Sequence, residues 1–321
     1  MSGDMTRFYH ARSSRYSHGR MTIPRLVSIG AACLTAIYRV DAIPPAPGKA
    51  QARDALRVTD GMAISAAYAF ARLGGRASVW ARLGDDAQGR AMRDELAHAG
   101  LDVTGLRACA GGKSSHASVI VDARGERQVA VFHDPGLDAD PSWLPLDTLD
   151  GASFLHADVR WREGAIRAMT AARDKGVRVM LDAETTEPAI LATLVPLASH
   201  AVFSDAGLAV HTSTDDVEAG LRQVAARGRH AHVGASCGAK GYVWLDGDAI
   251  RRERAPEVAA IDTLAAGDVF HGALALALAE GRPMQAAARF ACAAASLKCA
   301  VFGGRLGCPS RAEVEAFTRG A

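Results

Sequence analysis

The chain has 321 residues, of which 49% are hydrophobic and 22% are charged, and its formal net charge is +2. This composition is ordinary for a soluble globular protein with a substantial core, and the near-neutral charge gives no reason to expect nucleic acid as a partner. No apolar run is long enough to cross a bilayer, which argues against a membrane partner.

The first 22 residues are predicted to form a disordered basic extension. They carry four arginines and no apolar segment, which excludes a conventional secretory signal. An alternative is that they precede a true start at Met21. Six cysteines lie scattered through the chain without a C-x-x-C pair, so we expect reduced thiols and a cytoplasmic location.

Order is predicted to begin with a short apolar strand at 26–30. Two β-rich stretches at 115–121 and 128–133 flank a polar turn and predict a hairpin. Further strands are predicted at 77–83, 153–158, 177–182, 200–204, 230–235 and 242–245. Helices are predicted at 62–73, 89–99, 163–175, 187–198, 215–227, 268–280 and 283–300.

This alternation of strands and helix-length segments predicts a mostly parallel sheet that is covered on both faces. We therefore expect a single α/β domain with three layers, α/β/α, over residues 23–321. The early segments at about 36–60 and 108–136 are expected to form a small β-sheet lid.

The stretch at 261–281 carries the clearest chemical signal. Three small residues, Ala265, Ala266 and Gly267, precede an apolar helix, and Asp268 stands at its start. The free N–H groups and the dipole of a helix N-terminus bind an anion, while a carboxylate at the same turn can accept a proton from an attacking hydroxyl. The pattern indicates phosphoryl transfer, although an ordinary helix start with an acidic first turn is the alternative.

This stretch resembles a signature of the ribokinase/PfkB family of sugar kinases, D-T-x-G-A-G-D-x-F. Here it runs from Asp262 to Phe270, with Ala265 in place of the first glycine. The turn at 84–89 matches the family's G-x-D-x-x-G, and Ser236–Gly241 resembles its T-x-G-x-x-G nucleotide loop. The resemblance implies a ribokinase-like fold, ATP and Mg²⁺ as cofactors, and a homodimer that forms through the β lid. It leaves a monovalent cation open as a further cofactor.

The resemblance also implies roles for individual residues. Asp268 is the implied base, and the N–H groups of Ala265, Ala266 and Gly267 are implied to hold the developing negative charge. The implied nucleotide-binding residues are Ser236, Gly238, Gly241 and Thr263.

Two further carboxylates, Asp182 and Glu184, end a predicted buried strand. Ligands of parallel sheets bind at the carboxyl ends of the strands, so this pair could hold Mg²⁺ through water. A helix cap is an equal alternative.

Several stretches look closer to the sulfofructose kinase branch, which is ketohexokinase-like; one is Asp158-Val159-Arg160-Trp161. In that branch a lid lysine and the arginine of D-V-R-W face the sulfonate of the substrate, and Lys49 and Arg160 stand at those places here. A sulfonate is always charged, and a fixed lysine and arginine would complement it. Alternatively, Lys49 is a solvated lid residue and Arg160 is a structural ion-pair partner.

Three departures from the family pattern concern the sugar. Thr35 stands where an aspartate is usual, Asp60-Gly61 replaces a Gly-Gly hinge, and Ser65 replaces an asparagine. Ala265, in place of the first glycine of the anion-binding turn, is a fourth departure beside the sugar. One hypothesis is that Asp60 supplies the carboxylate that Thr35 lacks. The alternative is a pocket that has changed to take a different substrate.

The sequence thus predicts an ATP-dependent kinase that phosphorylates a primary hydroxyl of a sugar or anionic sugar derivative, such as a sulfofructose- or fructose-like ketose. One alternative is a catalytically weakened sensor that binds sugar or nucleotide on the same fold. The other is a nucleoside kinase of that fold.

Overall fold

The structure is a computed structural model that describes residues 23–45 and 47–320. The predicted extension at residues 1–22 lies outside the described residues. The strands are β1 Arg25–Gly30, β2 Cys33–Arg39, β3 Asp54–Asp60, β4 Arg76–Gly84, β5 Leu106–Cys109, β6 His116–Val121, β7 Arg127–Phe132, β8 Phe154–Ala157, β9 Arg178–Ala183, β10 His200–Ser204, β11 His232–Ser236, β12 Tyr242–Asp246 and β13 Ala249–Glu253. The helices are α1 Met62–Arg72, α2 Ala87–His98, α3 Arg162–Asp174, α4 Pro188–Leu194, α5 Asp205–Thr212, α6 Val217–Arg227, α7 Ala266–Ala279, α8 Met284–Cys299 and α9 Arg311–Gly320.

A nine-stranded sheet forms the centre of the fold, in the order β13-β12-β11-β10-β9-β8-β1-β4-β5. The strands from β11 to β5 pair in parallel, whereas β12 and β13 are antiparallel at one edge. The α/β fold predicted from the sequence is confirmed. Because β1, β8, β9, β10 and β11 are parallel neighbours, the residues that follow them meet at one edge of the sheet.

Separate apolar cores cover the two faces of this sheet. Phe70 of α1 and Leu274 of α7 belong to one core, and Met169 of α3 and Leu221 of α6 belong to the other. The central strands are buried on both sides, which explains why they read as continuous apolar runs rather than as alternating patterns. The helices thus lie on both faces, as the sequence predicted.

A second, four-stranded sheet has the order β3-β2-β6-β7. The hairpin predicted from the sequence is β6–β7, which pairs antiparallel, while β2 pairs parallel with β6. Ile37, Val58, Val119 and Val121 bury one face of this small sheet. Strands β3 and β7 are its edges, and all six residues of β7 are exposed.

Several elements differ from the sequence prediction. The helix expected at 187–198 is wrong in length: α4 ends at Leu194, and a 3₁₀ turn follows at Val195–Leu197. Pro196 explains the break, because it has no N–H to donate to the preceding turn. Helix α5 was not predicted, although Ser204 caps it by accepting a hydrogen bond from the N–H of Gly207 at 2.9 Å. Among the described residues, no helix has the length and apolar character needed to span a membrane.

Candidate active site

The anion-binding turn predicted from the sequence lies at the N-terminus of α7. Its N-cap residue, Ala265, is left-handed with φ 63°, a conformation that only Ser213 shares among the non-glycine residues described. The N–H of Ala266 donates to the Thr263 carbonyl at 3.3 Å. Within residues 23–45 and 47–320, the N–H groups of Ala265, Gly267 and Asp268 have no hydrogen-bond acceptor. This turn therefore offers free donors, with Asp268 added to the expected set and Ala266 partly engaged.

Space above the turn is open. A Cβ atom built on Gly267 would meet no heavy atom within 4 Å, so a bulky anion can approach the free N–H groups from that side. The positive end of the α7 dipole lies at the same place.

Asp268 lies in the first turn of α7 and faces a cleft. Burial raises the pKa of its carboxyl well above the ordinary value, and the nearby Asp182 carboxylate raises it further. No described residue donates a hydrogen bond to it. An unpaired carboxylate with a raised pKa is a better proton acceptor than an ordinary surface aspartate.

The cleft has a volume of about 270 Å³ and lies between the small sheet and the turn of α7. Of the residues predicted to bind substrate, Thr35, Asp60, Gly61 and Arg160 line it. Its wall is completed by Ala31, Cys33, Met62, Ala117, Val119, Val129, Val131, His133, Leu264 and Asp268. Lys49 is exposed in the β2–β3 connection and does not line this cleft.

Asp60 is the last residue of β3 and is 4% exposed. Its Oδ1 accepts hydrogen bonds from the Ser65 hydroxyl and from the N–H of Gly61, the latter at 3.0 Å. Its Oδ2 accepts none from the described residues, so it is available to a ligand. Burial raises the pKa of Asp60, against the opposing effect of these donors.

The strained hinge position is Gly61 rather than Asp60. Gly61 has φ 120°, and a Cβ there would lie 2.4 Å from the Ala31 carbonyl oxygen. Asp60 has no positive φ, so it replaces the first glycine of the usual hinge without backbone strain. The hinge thus keeps the one glycine that its geometry requires.

Asp158 organises the cleft floor, a role that the sequence analysis did not assign. Its carboxylate accepts hydrogen bonds from the N–H groups of Ala31 at 2.8 Å, Ala63 at 3.1 Å and Arg160 at 2.8 Å. It thereby joins the ends of β1 and β8 to the start of α1. The available sequence signal was a carboxylate directly after a buried strand.

One wall of the cleft carries Arg160 and His133. Burial lowers the pKa of His133, and the charge of Arg160 lowers it further, which keeps this histidine neutral. Arg160 is exposed and leaves its guanidinium free for a ligand, while its main chain is fixed on Asp158.

Asp182 and Glu184 lie at the carboxyl end of β9. Glu184 accepts hydrogen bonds from the N–H of Thr185 at 2.6 Å and from the hydroxyl of Ser204 at 2.9 Å. Asp182 is buried and lies 3.5 Å from Nδ1 of His271, a ring that stays neutral because burial lowers its pKa. No cluster of three or more histidine, cysteine or acidic side chains in the described parts of the chain could hold a metal directly. Burial and the neighbouring Glu184 carboxylate raise the pKa of Asp182 well above the ordinary value, and a cation held through water would relieve this repulsion between the two acids.

The predicted nucleotide loop follows β11 at the same sheet edge. Ser236 pairs in register with Ser204, and the Ser236 hydroxyl donates to the Phe203 carbonyl at 3.3 Å. Gly241 has φ 94°, and a Cβ there would lie 2.1 Å from the Glu253 carbonyl oxygen, so the loop needs this glycine. Gly238 is exposed at the tip. Thr263, the other predicted nucleotide residue, accepts a hydrogen bond from Arg127 of the small sheet at 3.2 Å.

Comparison with known proteins agrees with this geometry. The profile of the pfkB family carbohydrate kinases matches residues 24–311. A provisionally assigned ribokinase from Agrobacterium tumefaciens superposes with a TM-score of 0.90 at 36% identity, over 93% of this chain and 98% of that chain.

More distant relatives share the fold or a part of the sequence. Fructokinase from Xylella fastidiosa with bound ATP superposes with a TM-score of 0.78 at 22% identity, over 92% of this chain and 98% of that chain. Ribokinase from Bacillus subtilis is 54% identical over 55 residues, which are 17% of this chain and only 19% of the relative.

Proposed function

This chain belongs to the pfkB family of carbohydrate kinases, and from that premise we propose that it transfers the γ-phosphoryl group of ATP to a primary hydroxyl of an anionic sugar derivative or a related ketose. The observation that carries this proposal is the pairing of free N–H donors at the α7 turn with the unpaired carboxylate of Asp268, both beside one cleft. Any helix start leaves N–H groups free, but one that only capped a helix would not need a carboxylate with a raised pKa and no hydrogen-bond donor beside the cleft.

The proposed mechanism assigns one task to each group. Asp268 accepts the proton of the attacking hydroxyl, and the N–H groups of Ala265, Gly267 and Asp268 hold the negative charge that develops on the transferred group. Asp182 and Glu184 would hold Mg²⁺ through water, and the ion would there neutralise part of the phosphate charge. Catalysis of this kind depends on position and electrostatics, which fits a site whose parts are fixed by the main chain.

The proposed donor is ATP, in the loop Ser236–Gly241 and beside Thr263. Support comes from the position of this loop at the carboxyl edge of the sheet, next to Glu184 and Ser204. The fructokinase that shares the fold carries ATP, which supports the same donor here.

The proposed acceptor is a ketose with an anionic group, of the sulfofructose type, or fructose itself. Arg160 presents a free guanidinium to the cleft, beside a neutral His133. A guanidinium offers two parallel donors to a sulfonate or phosphate, and His133 can add a neutral donor. Lys49, exposed on the β2–β3 connection, is the second cation that we propose for this acceptor.

An ADP-release assay over a panel of acceptors tests the proposal. The panel comprises fructose, fructose 1- and 6-phosphates, sulfofructose, ribose, 2-keto-3-deoxygluconate and nucleosides. We expect turnover with an anionic ketose and at least about a 10²-fold loss of kcat in Asp268→Asn with that acceptor. An Asp268→Asn enzyme that keeps most of its kcat would overturn the assigned base.

Arg160→Met tests the recognition of the anion. Loss of a charge-assisted hydrogen bond should cost about 1.5–3 kcal/mol with an anionic acceptor and much less with neutral fructose. Arg173→Met is the matched control, because Arg173 is exposed in the last turn of α3 and does not line the cleft. Equal losses with charged and neutral acceptors would contradict an anion-binding role.

We also propose a homodimer that forms through the small sheet. Strand β7 is an open edge with exposed apolar side chains, Val129 at 44%, Val131 at 53% and Phe132 at 38%. Light scattering on the purified chain should give twice its mass of 33.6 kDa. A single-chain mass at micromolar concentration would contradict this pairing.

A further inference from the structure

A fully buried ion pair lies beneath the anion-binding turn. Lys298 of α8 and Asp262, which begins the turn, are both 0% exposed. The Lys298 Nζ donates to the Asp262 main-chain carbonyl oxygen at 2.6 Å and lies 3.3 Å from Asp262 Oδ2. A buried ammonium is costly unless oxygens surround it, and an apolar side chain would pack here at less expense. A buried ammonium at this position therefore indicates a functional role.

Asp262 connects this ammonium to the catalytic turn. Its Oδ1 accepts a hydrogen bond from the N–H of Leu264 at 2.9 Å. Its Oδ2 accepts from the N–H groups of Gly303 at 3.0 Å and Gly304 at 2.9 Å. The N–H of Asp262 itself donates to the Cys299 carbonyl at 3.1 Å. Every polar group of Asp262 is thus fixed, and the chain that leaves it enters the left-handed Ala265 three residues later.

The charges at this place are balanced. Burial lowers the pKa of Lys298, while the Asp262 carboxylate opposes that effect. Burial would raise the pKa of Asp262, but the ammonium and the main-chain donors outweigh it, so its pKa is lowered. The carboxylate is therefore charged at neutral pH.

A free monovalent cation is bound in proteins by carbonyl and carboxylate oxygens. Two such oxygens at the start of the turn, Asp262 O and Oδ2, both face Lys298 Nζ. A monovalent cation, which the family resemblance leaves open, therefore does not fit at Asp262, because the ammonium already holds its oxygens.

We propose that Lys298 is a tethered cation that positions Asp262 and the anion-binding turn, so that turnover needs no added monovalent ion. Lys298 is thus a positioning residue, since it acts through Asp262 and does not reach the transferred group. This inference rests on the proposed function of the turn at 265–268 as the transfer site. It is independent of the identity of the sugar.

Cation rescue tests the proposal. The full-length enzyme is assayed at constant ionic strength in tetramethylammonium, Na⁺, K⁺ or NH₄⁺ chloride, with whichever acceptor it turns over. We expect the wild-type kcat to vary by less than about twofold. Lys298→Ala leaves a cavity lined by the same oxygens, so its kcat should fall by about tenfold or more in tetramethylammonium and recover in a saturable way with NH₄⁺ or K⁺.

Two variants sharpen the comparison. Lys298→Met fills the space without a charge, so we expect a low kcat that no cation restores. Lys175→Met removes a lysine from the far end of α3, where Lys175 pairs with Asp150 on the surface, and should behave as wild type. Thermal melts of each variant, in each salt, separate rescue of kcat from rescue of folding.

Three results would overturn the inference. One is a wild-type enzyme that K⁺ stimulates more than about fivefold, a measurement that stands even if no Lys298 variant folds. Another is a Lys298→Met enzyme with wild-type kcat. The third is a folded Lys298→Ala enzyme whose loss no cation repairs. Retention of turnover by Asp268→Asn would instead overturn the assigned transfer site. The effect of cations on the wild-type and Lys298 variants would still decide whether Lys298 replaces a monovalent ion.

Discussion

Replacement of Asp60 by alanine tests how this cleft recognises a sugar. Oδ1 of Asp60 is used by Ser65 and Gly61, whereas Oδ2 faces no donor among the described residues. A sugar hydroxyl that donates to Oδ2 would make one charge-assisted hydrogen bond in a buried site. Such a bond contributes about 1.5–3 kcal/mol. Asp60→Ala should therefore lower kcat/KM for the sugar by about 10- to 150-fold, mainly through KM.

The assay varies sugar at saturating ATP and then ATP at saturating sugar. KM for ATP should change by less than about twofold, because Asp60 ends β3 on the small sheet, away from the loop at 236–241. Ser65→Ala is the matched control, since it removes a donor to Oδ1 and leaves Oδ2 in place. We expect it to cost less than about fivefold. Equal increases of both KM values, or no increase, would refute the assignment of Asp60 to the sugar.

Three further predictions follow from other parts of the site. Ala265→Gly should relieve about 1–2 kcal/mol of left-handed strain and cost about 0.4–1 kcal/mol in the entropy of the unfolded chain, so the free energy of unfolding in urea should rise by up to about 1.6 kcal/mol. A fall of more than about 1 kcal/mol would contradict this reasoning. Because the pKa of Asp268 is raised and its base form must be free, kcat/KM should fall with decreasing pH through a midpoint above the ordinary aspartate value of about 3.9, and a flat profile down to that pH would be inconsistent. Arg305 donates hydrogen bonds to the Thr59 carbonyl and to Glu95, and these contacts hold the strand that carries Asp60. Arg305→Met should therefore lower the free energy of unfolding by at least about 1 kcal/mol and raise KM for the sugar. An unchanged urea midpoint would exclude this role of Arg305.

Local chemistry explains the parts of the fold that the sequence predicted. The turn at 265–268 could be predicted because small residues, an acid and an apolar helix follow one another directly. Helix α1 and strands β1 and β4 could also be predicted, because each is an apolar run that ends at or beside a glycine. The 3₁₀ turn after Leu194 and the cap of α5 at Ser204 each depend on a single residue. Helix propensity is summed over many residues, so the effect of one residue is lost in the sum.

Contacts between distant segments explain what the sequence did not reveal. Asp158 joins Ala31, 127 residues away, to Ala63, 95 residues away. Arg305 meets the carbonyl of Thr59 across 246 residues. No periodicity or turn signal encodes such pairings, because they exist only once the sheet has brought the strand ends together. Asp60 could be identified from the sequence only because it replaces a glycine of the expected hinge.

Hydrogen-bond partners distinguish the acids around the cleft better than their positions do. Asp158 is satisfied by main-chain N–H groups, and Glu184 by Thr185 and Ser204. A carboxylate whose lone pairs are already held cannot take a proton without losing those bonds. Asp182 lies 3.5 Å from the ring of His271, whose pKa burial lowers, so this contact is not an ion pair at neutral pH. Asp182 and Asp268 both accept no hydrogen bond from the described residues, and of the two only Asp268 lines the cleft. Protonation of Asp268 would therefore break nothing in the structure and would relieve repulsion from Asp182, which is the physical condition that a general base in this cleft must meet.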